Sequence, residues 1–382
     1  MPSRNSIVKI PYLNLKDINK KYKKAFYKKL DDIFETSSFV GGKYLEEFEN
    51  KFSKINGSKY SLGTSCGTDC LSLILRGLDL NKDEGYIYYP ENTFIGTILG
   101  GLQLGYKFKH YPVNEKTQNA DSKSLEFIGN DAIAVIVVYL YGHSIKAIED
   151  FSYHCKLKKI PLIEDCSQSH FQEINGTKVG NFGDVSFFSL FPGKNIGAIG
   201  DAGVICTNSE ILQQSISPLR TYGMHKKHEY SGMGFNHRMD SIQAAFLLEK
   251  LNDYKFILDR RREIAKRYIE AFKGLEKIKT ILPTTQNVDK IENLSAWHVF
   301  CLDVLDEKNR NGLIEYLSEK GIATNIHYPV MIHEVDCWKE QIGSEICTND
   351  FGKRVLSIPC NEGMTDEDID FVISEIKNWS VL

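Results

Sequence analysis

Lys194 sits in Ser189-Leu-Phe-Pro-Gly-Lys194-Asn, followed by Ile-Gly-Ala-Ile-Gly-Asp201-Ala-Gly. A lysine beside glycine is commonly only a turn residue, but here a serine stands five positions earlier and an acid lies upstream. So placed, the amine can condense with the carbonyl of a phosphorylated aldehyde. The upstream run Ile160-Pro-Leu-Ile-Glu164-Asp165 reads as a buried strand that delivers Asp165 into a pocket. An imine-forming lysine and a buried carboxylate facing a pyridinium nitrogen are what pyridoxal 5'-phosphate asks of its protein. The order Asp165, Ser189, Lys194 therefore points to making or breaking a carbon–nitrogen bond, with Lys194 and Asp165 as the catalytic pair. Only neutral lysine is nucleophilic, so its pKa must be lowered by desolvation or nearby positive charge. Once displaced by an incoming amine, it can act as a base.

Other residues fit around this pair. Gly63-Thr-Ser-Cys-Gly67-Thr68-Asp69-Cys70 precedes the apolar helical run Leu71-Ser-Leu-Ile-Leu. A turn that opens a helix offers free N–H groups and the positive dipole end to a phosphate, although a plain helix cap has the same look. Ser189 can add a hydroxyl to that phosphate or be an ordinary strand-end serine. Gln168 can reach the ring's phenolic oxygen. Phe94, in Asn92-Thr93-Phe94 after a strand and a proline, can stack on the ring or pack in the core.

These positions need elements to hold them. Tyr86-Ile-Tyr-Tyr-Pro90, Ala132 to Tyr139, Pro161-Leu-Ile and Val185-Ser-Phe-Phe-Ser189 are short apolar runs separated by helical stretches. That alternation predicts a mainly parallel sheet covered on both faces, with chemistry just beyond the strand ends. A strand over Ala202–Cys206 and one long helical connector from Asp240 to about Phe272 follow. A strand over Trp297–Val304 and a helix over Asn309–Lys320 suggest a second, smaller α/β unit. The expected division is residues 1–250 for the large cofactor-binding domain and 251–382 for the connector and small domain.

At 382 residues, with 42% hydrophobic and 25% charged residues, the chain has the composition of an ordinary globular protein. A net charge of −3 gives no reason to expect a nucleic-acid partner. The basic run Lys20-Lys-Tyr-Lys-Lys24 reads as a solvated helix face. No stretch approaches the ~20 apolar residues of a membrane span, and no signal-peptide segment opens the chain. Nine cysteines without a C-x-x-C pair, several in apolar runs, look like reduced core residues of a cytoplasmic protein. His327, His333 and Cys337 fit no common zinc spacing, so no metal is expected. No G-x-G-x-x-G turn follows an early strand, which argues against a nucleotide-dependent oxidoreductase.

At these residues the chain resembles the DegT/DnrJ/EryC1/StrS family of pyridoxal-phosphate-dependent nucleotide-sugar aminotransferases. The resemblance runs from about Tyr12 to Pro359. It is carried by Glu164-Asp-Cys-Ser-Gln168-Ser-His170, Gly183 to Asn195, Gly200-Asp-Ala-Gly and Gly234-Phe-Asn236-His-Arg-Met-Asp-Ser-Ile-Gln243-Ala-Ala. It implies an α/β subunit of fold type I, aspartate-aminotransferase-like, acting as a homodimer with shared active sites. By the same resemblance Lys194 forms the imine, Asp165 pairs with the pyridine nitrogen, and Gln168 contacts the ring oxygen. Gly67, Thr68 and Ser189 hold the phosphate, joined by Asn236 from the partner subunit, and Phe94 stacks on the ring. Relatives that replace the lysine with histidine perform deoxygenation; this chain keeps it. Alanine in Gly-Asp-Ala-Gly replaces a glycine common in relatives, a change of one methyl group.

Phe191-Pro-Gly-Lys-Asn-Ile-Gly-Ala-Ile-Gly-Asp, Arg238-Met-Asp-Ser-Ile-Gln-Ala-Ala and Ile326-His327-Tyr328-Pro329 look most like enzymes that aminate 3-keto-6-deoxyhexoses carried on dTDP. L-glutamate as amino donor is an expectation of the resemblance. His327 and Tyr328 are candidate sugar contacts, with strand-end packing as the other reading. The alternatives are a 4-keto sugar-nucleotide aminotransferase and a lyase or dehydratase on the same scaffold.

Overall fold

A computed structural model describes residues 8–284, 286, 289–338, 340–343 and 350–381. Seven strands build the body of the large sheet. They are β1 (Tyr60–Thr64), β2 (Tyr86–Pro90), β3 (Phe108–Tyr111), β4 (Ala132–Val138), β5 (Leu162–Asp165), β6 (Val185–Ser189) and β7 (Gly203–Thr207). Their order is β1-β7-β6-β5-β4-β2-β3, and Ile342–Gly343 adds an eighth strand beside β3. β7 runs antiparallel to both its neighbours, and all other pairs are parallel.

The apolar runs are continuous because both faces of the sheet are covered. Along β4, Val135 and Val137 enter one core while Ala134, Ile136 and Val138 enter the other. The period of two that usually separates core from solvent here separates two cores. The same alternation along β5 turns Ile163 and Asp165 toward one face and Leu162 toward the other.

A three-stranded antiparallel sheet, β8 (Lys279–Thr280), β9 (Phe300–Asp303) and β10 (Val355–Ile358), forms over a third core. Ile10, near the start of the chain, lies in that core, where it bridges Ile322. The helix Tyr254–Phe272 joins the two regions. Ile257 and Leu258 pack in the large-sheet core, while Ile264, Tyr268 and Phe272 pack in the small one.

Two expected elements differ. The connector is two helices, Ser241–Lys250 and Tyr254–Phe272, parted by a tight turn over Leu251–Asp253. Asn252 and Asp253 are weak helix formers, and their side chains are engaged by Lys51 and Lys21. The strand expected from Trp297 starts only at Phe300, because Trp297 takes φ +46°, outside the extended region. Its indole N–H donates to Glu292 O at 2.7 Å.

Candidate active site

Asp165 is the last residue of β5. Its register partners are Val138 on β4 and Phe187 on β6, so three adjacent strands present one level of the sheet to the same side. All three residues line a cavity of about 590 Å³, within the usual range for a small-molecule site. The carboxylate accepts from Thr97 Oγ1 at 2.7 Å and from Ser167 N at 3.0 Å. Burial nevertheless raises its pKa, against those two bonds and the opposing pull of Lys194.

Lys194 lies in the loop that follows β6. Lys194 N donates to Phe191 O and Ala198 N to Leu190 O, both at 2.8 Å, which folds the loop back on itself. A side chain on Gly197 would meet Pro192 O at 2.3 Å, so glycine is what allows that return. The half-buried Lys194 amine has no hydrogen-bond partner among the described residues. Burial lowers its pKa to about 8, with Asp165 acting in the opposite direction.

The third wall is the start of helix Gly67–Leu78. Its cap is Cys66, whose sulfur accepts from Asp69 N at 3.4 Å, while Leu71, Leu73, Ile74 and Leu75 bury the helix in the core. The N–H groups of Gly67 and Thr68 have no oxygen acceptor among the described residues. A Cβ on Gly67 would come within 2.9 Å of Ser189 Cβ, so glycine keeps this corner open.

Among the residues expected from the sequence, Gly67, Thr68, Phe94, Asp165, Gln168, Ser189, Lys194, His327 and Tyr328 all line the one cavity. Phe94 is half exposed at its edge, with its ring 5.6 Å from that of Tyr328, so it is not a core residue. Gln168 Oε1 accepts from Tyr141 N at 2.6 Å, and Nε2 donates to Tyr328 Oη at 3.0 Å. His327 Nδ1 pairs with Ser357 Oγ at 2.8 Å, and burial lowers its pKa to about 4. Asn236 lies apart, exposed, its Oδ1 accepting from Arg238.

Several lining residues escaped the sequence. Thr97 and Ser167 hold Asp165, and Ser167 could have been found inside the quoted Asp-Cys-Ser-Gln segment. Tyr12, His298 and Asn325 also line the cavity, from regions remote in sequence, and no local pattern marks them.

The cavity fits pyridoxal phosphate on three counts. N–H groups without an oxygen acceptor at a helix N-terminus suit a phosphate. A buried carboxylate with a raised pKa gains from a cationic ring nitrogen. A partner-free amine of lowered pKa suits an aldehyde.

Comparison with known proteins agrees. The model of the DegT/DnrJ/EryC1/StrS aminotransferase family matches residues 20–377. The chain is 35% identical to dTDP-3-amino-3,6-dideoxy-alpha-D-galactopyranose transaminase of Aneurinibacillus thermoaerophilus, covering 97% of this chain and 99% of that one. It is 28% identical to dTDP-3-amino-3,4,6-trideoxy-alpha-D-glucose transaminase of Streptomyces venezuelae, over 100% and 98% of the two chains. Among solved structures, DesV of S. venezuelae in complex with a ketimine intermediate superposes with a TM-score of 0.89 at 27% identity, over 97% and 98% of the two chains. NtdA of Bacillus subtilis with bound cofactor PMP gives 0.88 at 25% identity, over 99% of this chain and 87% of that one.

Proposed function

We propose, from the premise that this chain belongs to the DegT/DnrJ/EryC1/StrS aminotransferase family, that it moves an amino group from L-glutamate to the 3-keto carbon of a dTDP-linked 6-deoxyhexose. The family is one of pyridoxal-phosphate-dependent sugar-nucleotide aminotransferases. The observation that carries the reading is a convergence in one cavity. A partner-free lysine amine, a buried carboxylate and the open N-terminus of a helix all meet there. The 3-keto position is supported by two relatives named as transaminases of dTDP-3-amino sugars.

Pyridoxal phosphate, when bound, supplies an electron sink for negative charge on the carbon that carries the nitrogen. Asp165, held by Thr97 and Ser167, keeps the ring nitrogen protonated. Gly67, Thr68 and Ser189 hold the phosphate, and Asn236 of the partner subunit completes that site in a homodimer. Phe94 covers one face of the ring, and Gln168 steadies the ring oxygen from its bonds to Tyr141 and Tyr328. Lys194 Nζ accepts the proton leaving the α-carbon of glutamate and later returns a proton to the sugar carbon. His327 and Tyr328 contact the sugar. Eight described cysteines, all free thiols, support a cytoplasmic setting. Among the described residues no helix is long and apolar enough to cross a membrane.

The test is a pair of half-reactions on protein saturated with pyridoxal phosphate. L-glutamate should change its absorbance and release stoichiometric 2-oxoglutarate, and a dTDP-3-keto-6-deoxyhexose should then restore the first spectrum. Restoration by the 4-keto isomer alone overturns the position assigned. Absence of any glutamate-driven change overturns the donor.

A further inference from the structure

Asn195, the residue after Lys194, is fully buried, and its two side-chain bonds decide the state of a histidine 103 positions away. Asn195 Nδ2 donates to Ala296 O at 2.8 Å, and Oδ1 faces His298 Nδ1 at 3.2 Å. A backbone carbonyl only accepts, so the amide nitrogen must face Ala296 and the amide oxygen must face His298. That oxygen also only accepts, so His298 carries its hydrogen on Nδ1. Nε2 is left as a bare lone pair with no partner among the described residues, on a ring that lines the cavity. Burial, then the charges of Lys194 and Arg261, hold this imidazole well below its ordinary pKa, so the lone pair stays open through the neutral range. The backbone fixes the ring as well. His298 N donates to Tyr141 O at 3.0 Å, and His298 O accepts from Arg261 Nη1 at 3.2 Å.

We propose that Asn195 and His298 form a positioning pair for Lys194, in which Asn195 sets the tautomer and His298 Nε2 accepts a hydrogen bond from the lysine amine when it stands free. The proposal rests on Lys194 being the reactive amine. Asn195 is covalently next to that lysine, so one side chain ties its main chain to Ala296 and orients the acceptor. No proton passes to His298, because an imidazole held so low is a poor base. It serves as a fixed lone pair that limits the directions in which the amine can point.

Three measurements decide this. In the unmodified protein, nitrogen NMR of labelled histidine should show His298 with hydrogen on Nδ1; hydrogen on Nε2 overturns the proposal without any variant having to fold. In cofactor-free protein, the pH midpoint for acylation of Lys194 should fall below the parent value in His298→Leu, because a neutral acceptor stabilises the ammonium form. It should stay near the parent value in His298→Gln, whose amide oxygen reaches the place of Nε2. In loaded enzyme, His298→Leu should slow the glutamate and sugar half-reactions alike, by about 100-fold, as misplacement of a reacting group does, and His298→Gln should recover most of the loss. Loss confined to the sugar half-reaction makes His298 a sugar contact and overturns the pair. If the parent protein itself gives no reaction with glutamate, the proposed function fails. The tautomer and the acylation midpoint still decide whether the pair exists.

Discussion

Lys194 and Lys250 are both lowered to about 8 by burial, yet their surroundings differ in every respect that matters for chemistry. Lys194 lies in a glycine-bounded loop, half-buried, facing a cavity and attracted by Asp165. Lys250 ends the helix Ser241–Lys250, is 1% exposed, and has Glu362 in its favour and Arg261 and Lys21 against it. Glu362 is already bonded to Arg261 at 2.8 Å. The two sites teach that a depressed lysine pKa reports desolvation and no more. A nucleophile also needs room beside it for an electrophile.

The largest effect should separate the two lysines. Lys194→Ala is expected to lower transamination by on the order of 10⁴-fold, as loss of an acid–base group does, while Lys250→Met stays within about twofold of the parent, the range of a substitution remote from the chemistry. Equal losses, in variants with intact circular dichroism, would break the comparison. Asp165→Asn sharpens the role of the counter-charge. With Thr97 and Ser167 still able to hold an amide, both half-reactions should slow by on the order of 10²-fold through lost electrostatic stabilisation. A next test sets access against basicity. In cofactor-free protein the acylation rate of Lys194 should rise about tenfold per pH unit up to about 8 and then level, by simple titration of the amine. Lys250, with the same pKa, should remain unlabelled at every pH where the protein is folded, as peptide mass spectrometry can read.

The smallest effect is on stability, and there the buried lysine is the instructive one. A lysine whose folded-state pKa lies below its unfolded value destabilises the fold while it must be charged, so stability rises with pH between the two values. For Lys250 that window runs from about 8 to its ordinary 10.5. The full penalty is at most about 3 kcal/mol. Lys250→Met should therefore raise the melting temperature by a few degrees at pH 7, and the advantage should shrink as pH climbs through the window. An unchanged difference from pH 7 to 10 would show that Glu362 fully compensates the charge.

The parts of the site legible in the sequence are those written within one local segment. The strand runs Tyr86–Pro90 and Val185–Ser189 coincide with β2 and β6, because an apolar stretch bounded by turns has few other uses. Asp165 at a strand end, Gly67 and Thr68 at a helix start and Lys194 after Pro-Gly follow from the same reading. The residue reading also offered Gln168 and Phe94, the resemblance added His327 and Tyr328, and all four line the same cavity. What escaped depends on groups that meet across the fold. Thr97 reaches Asp165 across 68 positions, and Asn195 reaches His298 across 103. The connector broke at Leu251–Asp253 because Lys51, on the helix Lys43–Asn56, and Lys21, in a turn between two helices, claim its polar residues, and the strand at Trp297 was delayed by a left-handed backbone turn.

The sequence by itself determined the alternating elements, the end of the sheet at which chemistry gathers, and the lysine and carboxylate that mark it, since each follows from local periodicity and residue type. Only the tertiary structure decided which of two lysines with the same pKa faces a cavity, which hydroxyl and N–H hold Asp165, and which nitrogen of His298 is bare. Burial and hydrogen-bond direction are properties of the closed chain, and they exist only once segments distant in sequence have come into contact.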